Sequence, residues 1–356
     1  MDTFGQYFKV TIFGESHGPA IGVVLDGVPE NIPLNEDDFT EDIARRASGA
    51  PGTTPRRESD KPKILSGVYE GYTTGAPLTI VFWNSNVQSQ DYLLFDDIPR
   101  PGHADFTANI KYNFANDPRG GGHFSGRLTL PIVAAGVVAK KILRAEYADD
   151  AYGQPVVLPE AERAGGKPME NAPGQERKKL DIHVDARLIE VGGETDPSKW
   201  DALVKKTGQE GDSLGGIIEC TVTGLGVGVG DPFWDSLESC LAHAIFAIPG
   251  IRGIEFGDGF AAARMKGSQH NDPFGPDGPV KNGSGGINGG LSNGAPVVFR
   301  VAVKPTSSIS QPQRTWDFNK NEQAILRIKG RHDVCFALRT PVIVEAMAAI
   351  VVADLL

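Results

Sequence analysis

Two short apolar runs, Phe8-Lys9-Val10-Thr11-Ile12-Phe13 and Ile21-Gly22-Val23-Val24-Leu25-Asp26-Gly27, flank Gly14-Glu15-Ser16-His17-Gly18, and the second closes on an Asp-Gly turn. Both read as strands, so the chain folds back here as a β-hairpin. Its tip carries a hydroxyl, an imidazole and a carboxylate on a glycine hinge. The same five residues satisfy the G-x-S-x-G pattern of a hydrolase nucleophile elbow, which needs a helix after the serine. A strand follows instead, which disfavours a serine hydrolase. His17 is expected as a proton donor or hydrogen-bond donor at the hairpin tip, against the plainer reading of a turn whose Ser16 and His17 satisfy local backbone groups.

Two further clusters repeat this grammar of flexible backbone beside titratable groups. Gly120-Gly121-Gly122-His123-Phe124-Ser125-Gly126-Arg127 is one, and Arg331-His332-Asp333, just before the final helix, is the other. Arg100-Pro101-Gly102-His103-Ala104-Asp105 adds a turn with a base, an imidazole and an acid. Lys304-Pro305-Thr306-Ser307-Ser308 offers an ammonium, hydroxyls and backbone donors suited to a phosphate. The glycine-rich Gly283–Gly290 stretch is expected to be a loop that hugs a ligand rather than a linker.

Between these motifs the elements alternate without regular βαβ units. Asn35 caps a helix with Phe39 and Ile43 on one face and Arg45-Arg46 at its end, where cations suit the macrodipole or bind an anion. Leu78–Trp83, Ile217–Val222 and Val297–Val303 read as strands. Leu128–Leu143 reads as a helix buried all round, Asp235 with Glu238 as a capping-box-like start of a helix through Ile248, and Thr340-Pro341 as the start of the last helix. An α+β fold is expected, as a single domain over 1–356 with 149–179 as a surface excursion. Among the isolated histidines, His243 is expected to be a core residue and His183 and His270 to be surface groups.

A formal net charge of -10 over 356 residues gives no diffuse basic field for nucleic acid. Cys220, Cys240 and Cys335 are odd in number and show no C-x-x-C spacing, which suits a reducing cytoplasm. No basic leader is seen, and the most apolar segment, Val342–Ala353, contains Glu345 and is too short to span a bilayer, so neither secretion nor membrane insertion is expected. Neither glycine cluster is a Walker loop or a dinucleotide fingerprint, and the seven histidines lack metal-ligand spacing, so no metal is expected. What remains is a set of His, Arg and Ser groups suited to one or two phosphate-bearing small molecules.

Over essentially its full length the chain resembles the chorismate synthase family. GESHGPAIGVVLDGVP (14–29), RPGHAD (100–105), GGGHFSGRLT (120–129), EFGDGF (255–260), KPTSS (304–308) and GRHDVCFALR (330–339) carry the likeness in order. The resemblance implies a β-α-α-β sandwich, with helices packed between antiparallel sheets, in a homotetramer. It implies conversion of 5-enolpyruvylshikimate 3-phosphate to chorismate and phosphate, the last common step of the shikimate pathway to aromatic amino acids, with reduced FMN required though no net redox change occurs. His103 is then a proton donor to the departing phosphate, His17 serves the flavin and Asp333 assists deprotonation at C6. By the same resemblance Ser16, Arg46, Arg100, Arg127 and Arg331 bind the substrate. His123, Phe124, Ser125, Gly250, Gly289, Lys304, Pro305, Thr306, Ser307, Ser308 and Arg331 line the FMN. With no nicotinamide fingerprint for NADP in the chain, the reduced flavin is expected from an external flavin reductase or reductant.

The chain departs from the family pattern in three places. His123-Phe124-Ser125-Gly126-Arg127 stands where many members have Arg-Ser-Ser-Ala-Arg, Gly49-Ala50-Pro51-Gly52 where another arginine is common, with Arg56 or Arg57 nearby, and Val334 where proline is usual. Two other classes stay open on the residues alone. One is a flavin- or nucleotide-binding regulatory protein, which would not need His17, His103 and Asp333 together, and the other is a phosphate-ester hydrolase that works without flavin.

Overall fold

A computed structural model describes residues 2–54, 59–85, 94–149, 155–157, 178–276, 278–328 and 332–356. The opening hairpin forms as its sequence requires: Lys9–Gly14 pairs antiparallel with Ala20–Asp26, from Lys9 opposite Asp26 to Gly14 opposite Ile21. Leu78–Trp83 pairs with the hairpin's second strand, Thr3–Phe4 edges the first, and Lys63–Ser66 closes the other side of a five-stranded antiparallel sheet. Side chains alternate across it. Ile21, Val23 and Leu25 and, on the neighbouring strand, Leu78, Ile80 and Phe82 are fully buried, which fixes the register because a one-residue slip would turn them all to solvent.

A second antiparallel sheet takes the order His183–Val191, Gly216–Thr223, Val297–Val303, Ile251–Phe256. Ile218, Cys220 and Val222 face the core beside Val297, Phe299 and Val301. Between the sheets lie two helices. In chain order the helices are α1 (Thr40–Arg46), α2 (Asp105–Lys111), α3 (Thr129–Ile142), α4 (Trp200–Gln209), α5 (Leu237–Ile245), the single turn α6 (Gly267–His270) and α7 (Pro341–Leu355). α3 packs on the first sheet, α7 on the second, and the two pack on each other, which gives a β-α-α-β sandwich. Their positions explain why both are apolar all round. Gly136 marks their crossing: a Cβ there would stand 2.3 Å from Ala346 Cβ, so only glycine lets the backbones come so close.

A charged cluster sits inside this apolar seam. Glu345 of α7 accepts Arg45 Nη2 at 2.5 Å, Lys140 Nζ at 3.0 Å and the Ala186 amide at 3.0 Å, while Asp42 takes Lys140 at 2.8 Å and Arg45 at 2.9 Å. It joins α1, α3, α7 and the second sheet. Arg45 is thus an ion-pair residue of the seam, not an anion-binding one.

α5 is capped by Ser236, whose Oγ accepts the Ser239 amide at 3.1 Å, not by an Asp235–Glu238 box. His243 is exposed and stands edge-on to Phe4 at 5.6 Å, so it is not a core histidine. Gly283–Gly290 is a structural turn: Gly285 and Gly286 adopt φ of 67° and 83° against the backbone of Gly257 and Pro296. In the 149–179 region, Pro155–Val157 and Lys178–Lys179 pair with Glu146–Asp149. The rest of that excursion lies outside the described residues.

Candidate active site

The hairpin tip is held from two sides. Asn84 donates to the carbonyls of Glu15 and Gly18 at 3.1 and 2.9 Å, and the Ser16 amide donates to Gly122 O at 3.1 Å. That bond draws the glycine triplet against the tip. Gly120 and Gly121 take φ of 62° and 82°, and added Cβ atoms would meet the His17 ring at 2.7 Å from Gly120 and the His103 ring at 3.4 Å from Gly121. Here glycine serves both backbone conformation and close approach, so the triplet runs between the two imidazoles.

His103 is anchored through the turn that precedes α2. Its Nδ1 lies 2.5 Å from Asp105 Oδ1, and Arg100 grips the same carboxylate with Nε at 2.8 Å and Nη2 at 2.7 Å. Arg100 Nη2 also lies 3.0 Å from His103 Nδ1, but a nitrogen that donates to Asp105 cannot accept from arginine, and the shorter bond to a carboxylate prevails. Burial acts to raise the Asp105 carboxyl, yet the hydrogen bonds from Arg100 and His103 outweigh it and hold it well below the usual carboxylate range. Burial pushes His103 below its ordinary value, with Asp105 opposing. His332, half-buried beside Arg100, is pushed down to about 4 by desolvation first and Arg100 next. Both shifts favour the uncharged imidazole in the free protein.

A second aspartate organises the other arginines. Asp60 takes Arg127 Nη1 at 2.6 Å and stands 3.5 Å from Arg46 Nη1, with all three residues at most 8% exposed. Arg46 further donates to Thr129 Oγ1 and Gly126 O, and Arg127 Nε donates to Asn84 Oδ1 at 2.9 Å. Burial first, then the charges of Arg339 and Arg127, work against the charge on Arg46, and Asp60 offsets them. Arg127 Nη2 is buried without a partner among the described residues. A third aspartate, Asp333, accepts Arg339 Nη2 at 2.8 Å and the Thr54 amide at 2.9 Å.

The Lys304–Ser308 turn closes the arrangement. Ser307 Oγ and Lys304 Nζ both donate to Gly102 O, at 2.7 and 2.9 Å, and Arg100 Nη1 donates to Ser308 Oγ at 3.2 Å. Burial, then Arg252, lowers Lys304 from its ordinary value. His123 sits between Gly14 O and the Asp2 carboxylate, with Phe124 tilted on Tyr112.

All of this surrounds one cavity of about 740 Å³. His17, His103, Asp333, Arg46, Arg100 and Arg127 line it. So do His123, Phe124, Ser125, Gly250 and all of Lys304–Ser308. Ser16 stands just behind the wall, fully buried with its Oγ unpartnered. Gly289 does not line it, and neither does the rest of Gly283–Gly290, so the expectation of a ligand-hugging loop there is not met. Arg331, Arg56 and Arg57 lie outside the described residues. His243, Asp60 and Arg339 line it too, although no site role was expected for them. Arg339 closes the GRHDVCFALR motif and Asp60 follows the Arg56-Arg57 loop, so their places in the sequence were the available signals. Among the described residues no cluster of His, Cys, Asp or Glu could hold a metal ion, and no helix is long and apolar enough to cross a membrane.

Fold and site together define an α+β protein whose cavity sets imidazoles beside arginines held by buried aspartates, a lining suited to small anions. The profile of the chorismate synthase family matches residues 8–356, and the chain belongs to that family. It is 50% identical over 358 residues to the chorismate synthase of Chitinophaga pinensis, covering 99% of this chain and 96% of the relative. It is 43% identical to that of Dehalococcoides mccartyi at the same coverage, and 41% identical to that of Methanocaldococcus jannaschii, covering 100% of this chain and 96% of the relative. A crystal structure of chorismate synthase superposes with a TM-score of 0.68 at 25% identity, covering 99% of this chain and 92% of the other. The chain is accordingly an enzyme, a lyase acting on phosphates.

Proposed function

We propose that this chain eliminates phosphate from 5-enolpyruvylshikimate 3-phosphate by an anti 1,4-elimination that depends on reduced FMN and yields chorismate. The observation that carries the reading is the convergence of His17, His103, Asp333 and three arginines on one cavity beside the Lys304–Ser308 turn. The residues present fit a flavin phosphate and a second anion. Thr306 Oγ1 and Arg127 Nη2, both on residues that line the cavity, are buried without partners among the described residues, an unstable arrangement unless polar ligands complete it. His123, Phe124, Ser125, Gly250 and Lys304–Ser308 would hold the flavin, which when bound and reduced can lend electron density to an allylic system and recover it.

The chain's own residues divide the remaining work. Arg46, Arg100 and Arg127 bind the substrate's carboxylates and phosphate, and forked guanidiniums suit such groups better than ammoniums. Because His103 Nδ1 donates to Asp105, only the imidazolium has a proton to give from Nε2, and it gives that proton to the departing phosphate. His17, 6% exposed at the hairpin tip, donates to the flavin, and Asp333 accepts the proton lost at C6. A homotetramer in the cytoplasm belongs to the same reading. Phe233 and Trp234, 85% and 89% exposed side by side, support a subunit contact.

The test is an anaerobic assay with photoreduced FMN. Chorismate and phosphate should appear in equal amounts with the flavin unconsumed. Stoichiometric flavin oxidation would sink the redox-neutral reading, and phosphate release from simple esters without flavin would favour a hydrolase. In air, oxidised FMN with NADPH as the only reductant should give no turnover, because reduction is supplied from outside this chain.

A further inference from the structure

Arg339 lies in the turn that precedes α7, 9% exposed, and lines the cavity. It meets Asp333 as a fork: Nη2 donates to Oδ2 at 2.8 Å and Nε to Oδ1 at 3.2 Å. Its guanidinium lies 4.9 Å from the centre of the Phe336 ring, which backs it with a packed aromatic face. The same carboxylate receives the Thr54 amide, and the Val334 and Cys335 amides both donate to Gly52 O at 2.9 and 3.1 Å. Asp333 is thereby clipped to the loop that follows α1. Among the described residues, Arg46 of α1 and, on its own segment, His332 and Cys335 also feel its charge. Among the described residues, Arg339 alone grips both of its oxygens.

The rotation of an aspartate about its last torsion is soft, so a lone carboxylate samples a broad range of planes. Two parallel bonds from a planar fork remove that freedom, and a reacting group misplaced by about 1 Å loses on the order of 10²-fold in rate. We infer that Arg339 is a positioning residue that locks the Asp333 carboxylate plane at the cavity wall for proton abstraction. This rests on the reading of Asp333 as the proton acceptor. The alternative is that Arg339 itself binds the substrate's anion.

The test uses the full-length protein, with anaerobic turnover under saturating reduced FMN, calorimetric titration of 5-enolpyruvylshikimate 3-phosphate into flavin-free protein, and thermal melting. Arg339→Ala should lower kcat by roughly 10²-fold while substrate affinity stays near wild type. Guanidinium ion added below denaturing concentrations should restore part of that kcat, and Arg339→Lys, which keeps charge without the fork, should stay impaired. Asp333→Asn should gain nothing from guanidinium, and the double variant should be no slower than Asp333→Asn alone. Arg339→Gln serves if the alanine variant does not fold. A folded Arg339 variant with wild-type kcat overturns the inference, as does a tenfold loss of substrate affinity that accounts for the defect. A folded variant that guanidinium leaves unrescued overturns it as well. If Asp333→Asn keeps the wild-type rate, the Asp333 reading falls and takes the inference with it. If Asp333→Asn is inactive while Arg339→Ala is normal, only the inference falls.

Discussion

His103 Nδ1 lies 2.5 Å from Asp105 Oδ1, and Asp105 is in turn forked by Arg100. This chain of contacts commits the Nδ1 proton to Asp105 and leaves Nε2 as the group that can exchange a proton with a ligand. Burial keeps the free imidazole neutral, and a dianionic phosphate beside it raises its proton affinity. Substrate binding near pH 7.5 should therefore draw a proton from buffer. Calorimetry in buffers of different ionisation enthalpy measures the uptake. His103→Ala should abolish it and slow turnover by roughly 10²-fold to 10⁴-fold. Equal proton uptake by the two proteins would take His103 out of the donor role.

The glycine triplet offers an internal control. Gly120→Ala and Gly121→Ala both force a side chain into a left-handed backbone, at about 1–2 kcal/mol each. They differ in what the new methyl meets: the His17 ring at 2.7 Å and Ser16 Oγ at 2.8 Å from Gly120, the His103 ring at an ordinary 3.4 Å from Gly121. Gly120→Ala should thus cost roughly 10²-fold in turnover and Gly121→Ala far less, at similar melting temperatures. Equal losses would show that backbone strain, not displacement of His17, is what matters.

Much of the fold was legible because its signals are local. Leu78–Trp83 and Val297–Val303 form as strands over the expected spans, and the all-round apolarity of α3 and α7 marks helices with sheet on one side and helix on the other. The site's motifs were legible too, since each carries its own turn chemistry. Asp60 and Arg339 were missed because their meaning lies in partners that only the folded chain brings to them, Arg127 for one and a carboxylate six residues back on a folded turn for the other. Gly283–Gly290 misled for the opposite reason. Composition cannot distinguish glycines that admit a ligand from glycines that admit the protein's own backbone, and here Gly257 and Pro296 occupy the space.

Glu345 ties the helix that carries Arg46 to the seam between α3 and α7. Burial acts to raise its carboxyl, but the bonds from Arg45 and the charge of Lys140 prevail and leave it below the ordinary 4.5. Its contribution to stability is therefore present in full above pH 4.5 and is lost as pH falls through the depressed folded value. Glu345→Gln should destabilise the protein by about 1.5–3 kcal/mol at neutral pH, because Lys140 and Arg45 keep Asp42 but lose their more deeply buried partner. The melting-temperature gap between the two proteins should shrink below pH 4.5. A gap that stays constant into acid would mean that packing, not charge, holds the seam.

Arg127 presents the sharpest case for geometry over charge. Nε is committed to Asn84, Nη1 to Asp60, and Nη2 is buried at the cavity wall without a partner among the described residues. Lysine could keep the positive charge and reach one of these groups, but it cannot span the fork, so Arg127→Lys leaves either Asn84 or Asp60 without its donor and presents nothing fixed to the ligand. A hydrogen bond to a charged group contributes about 1.5–3 kcal/mol, which predicts a rise of roughly tenfold to a hundredfold in substrate KM. FMN affinity should change little, because the residues proposed to hold the flavin lie on the Lys304–Ser308 turn and around Ser125. Steady-state kinetics under anaerobic, flavin-saturated conditions beside FMN titration decide the matter. An unchanged substrate KM would remove Arg127 from the substrate site, and a matching loss of FMN affinity would move it to the cofactor.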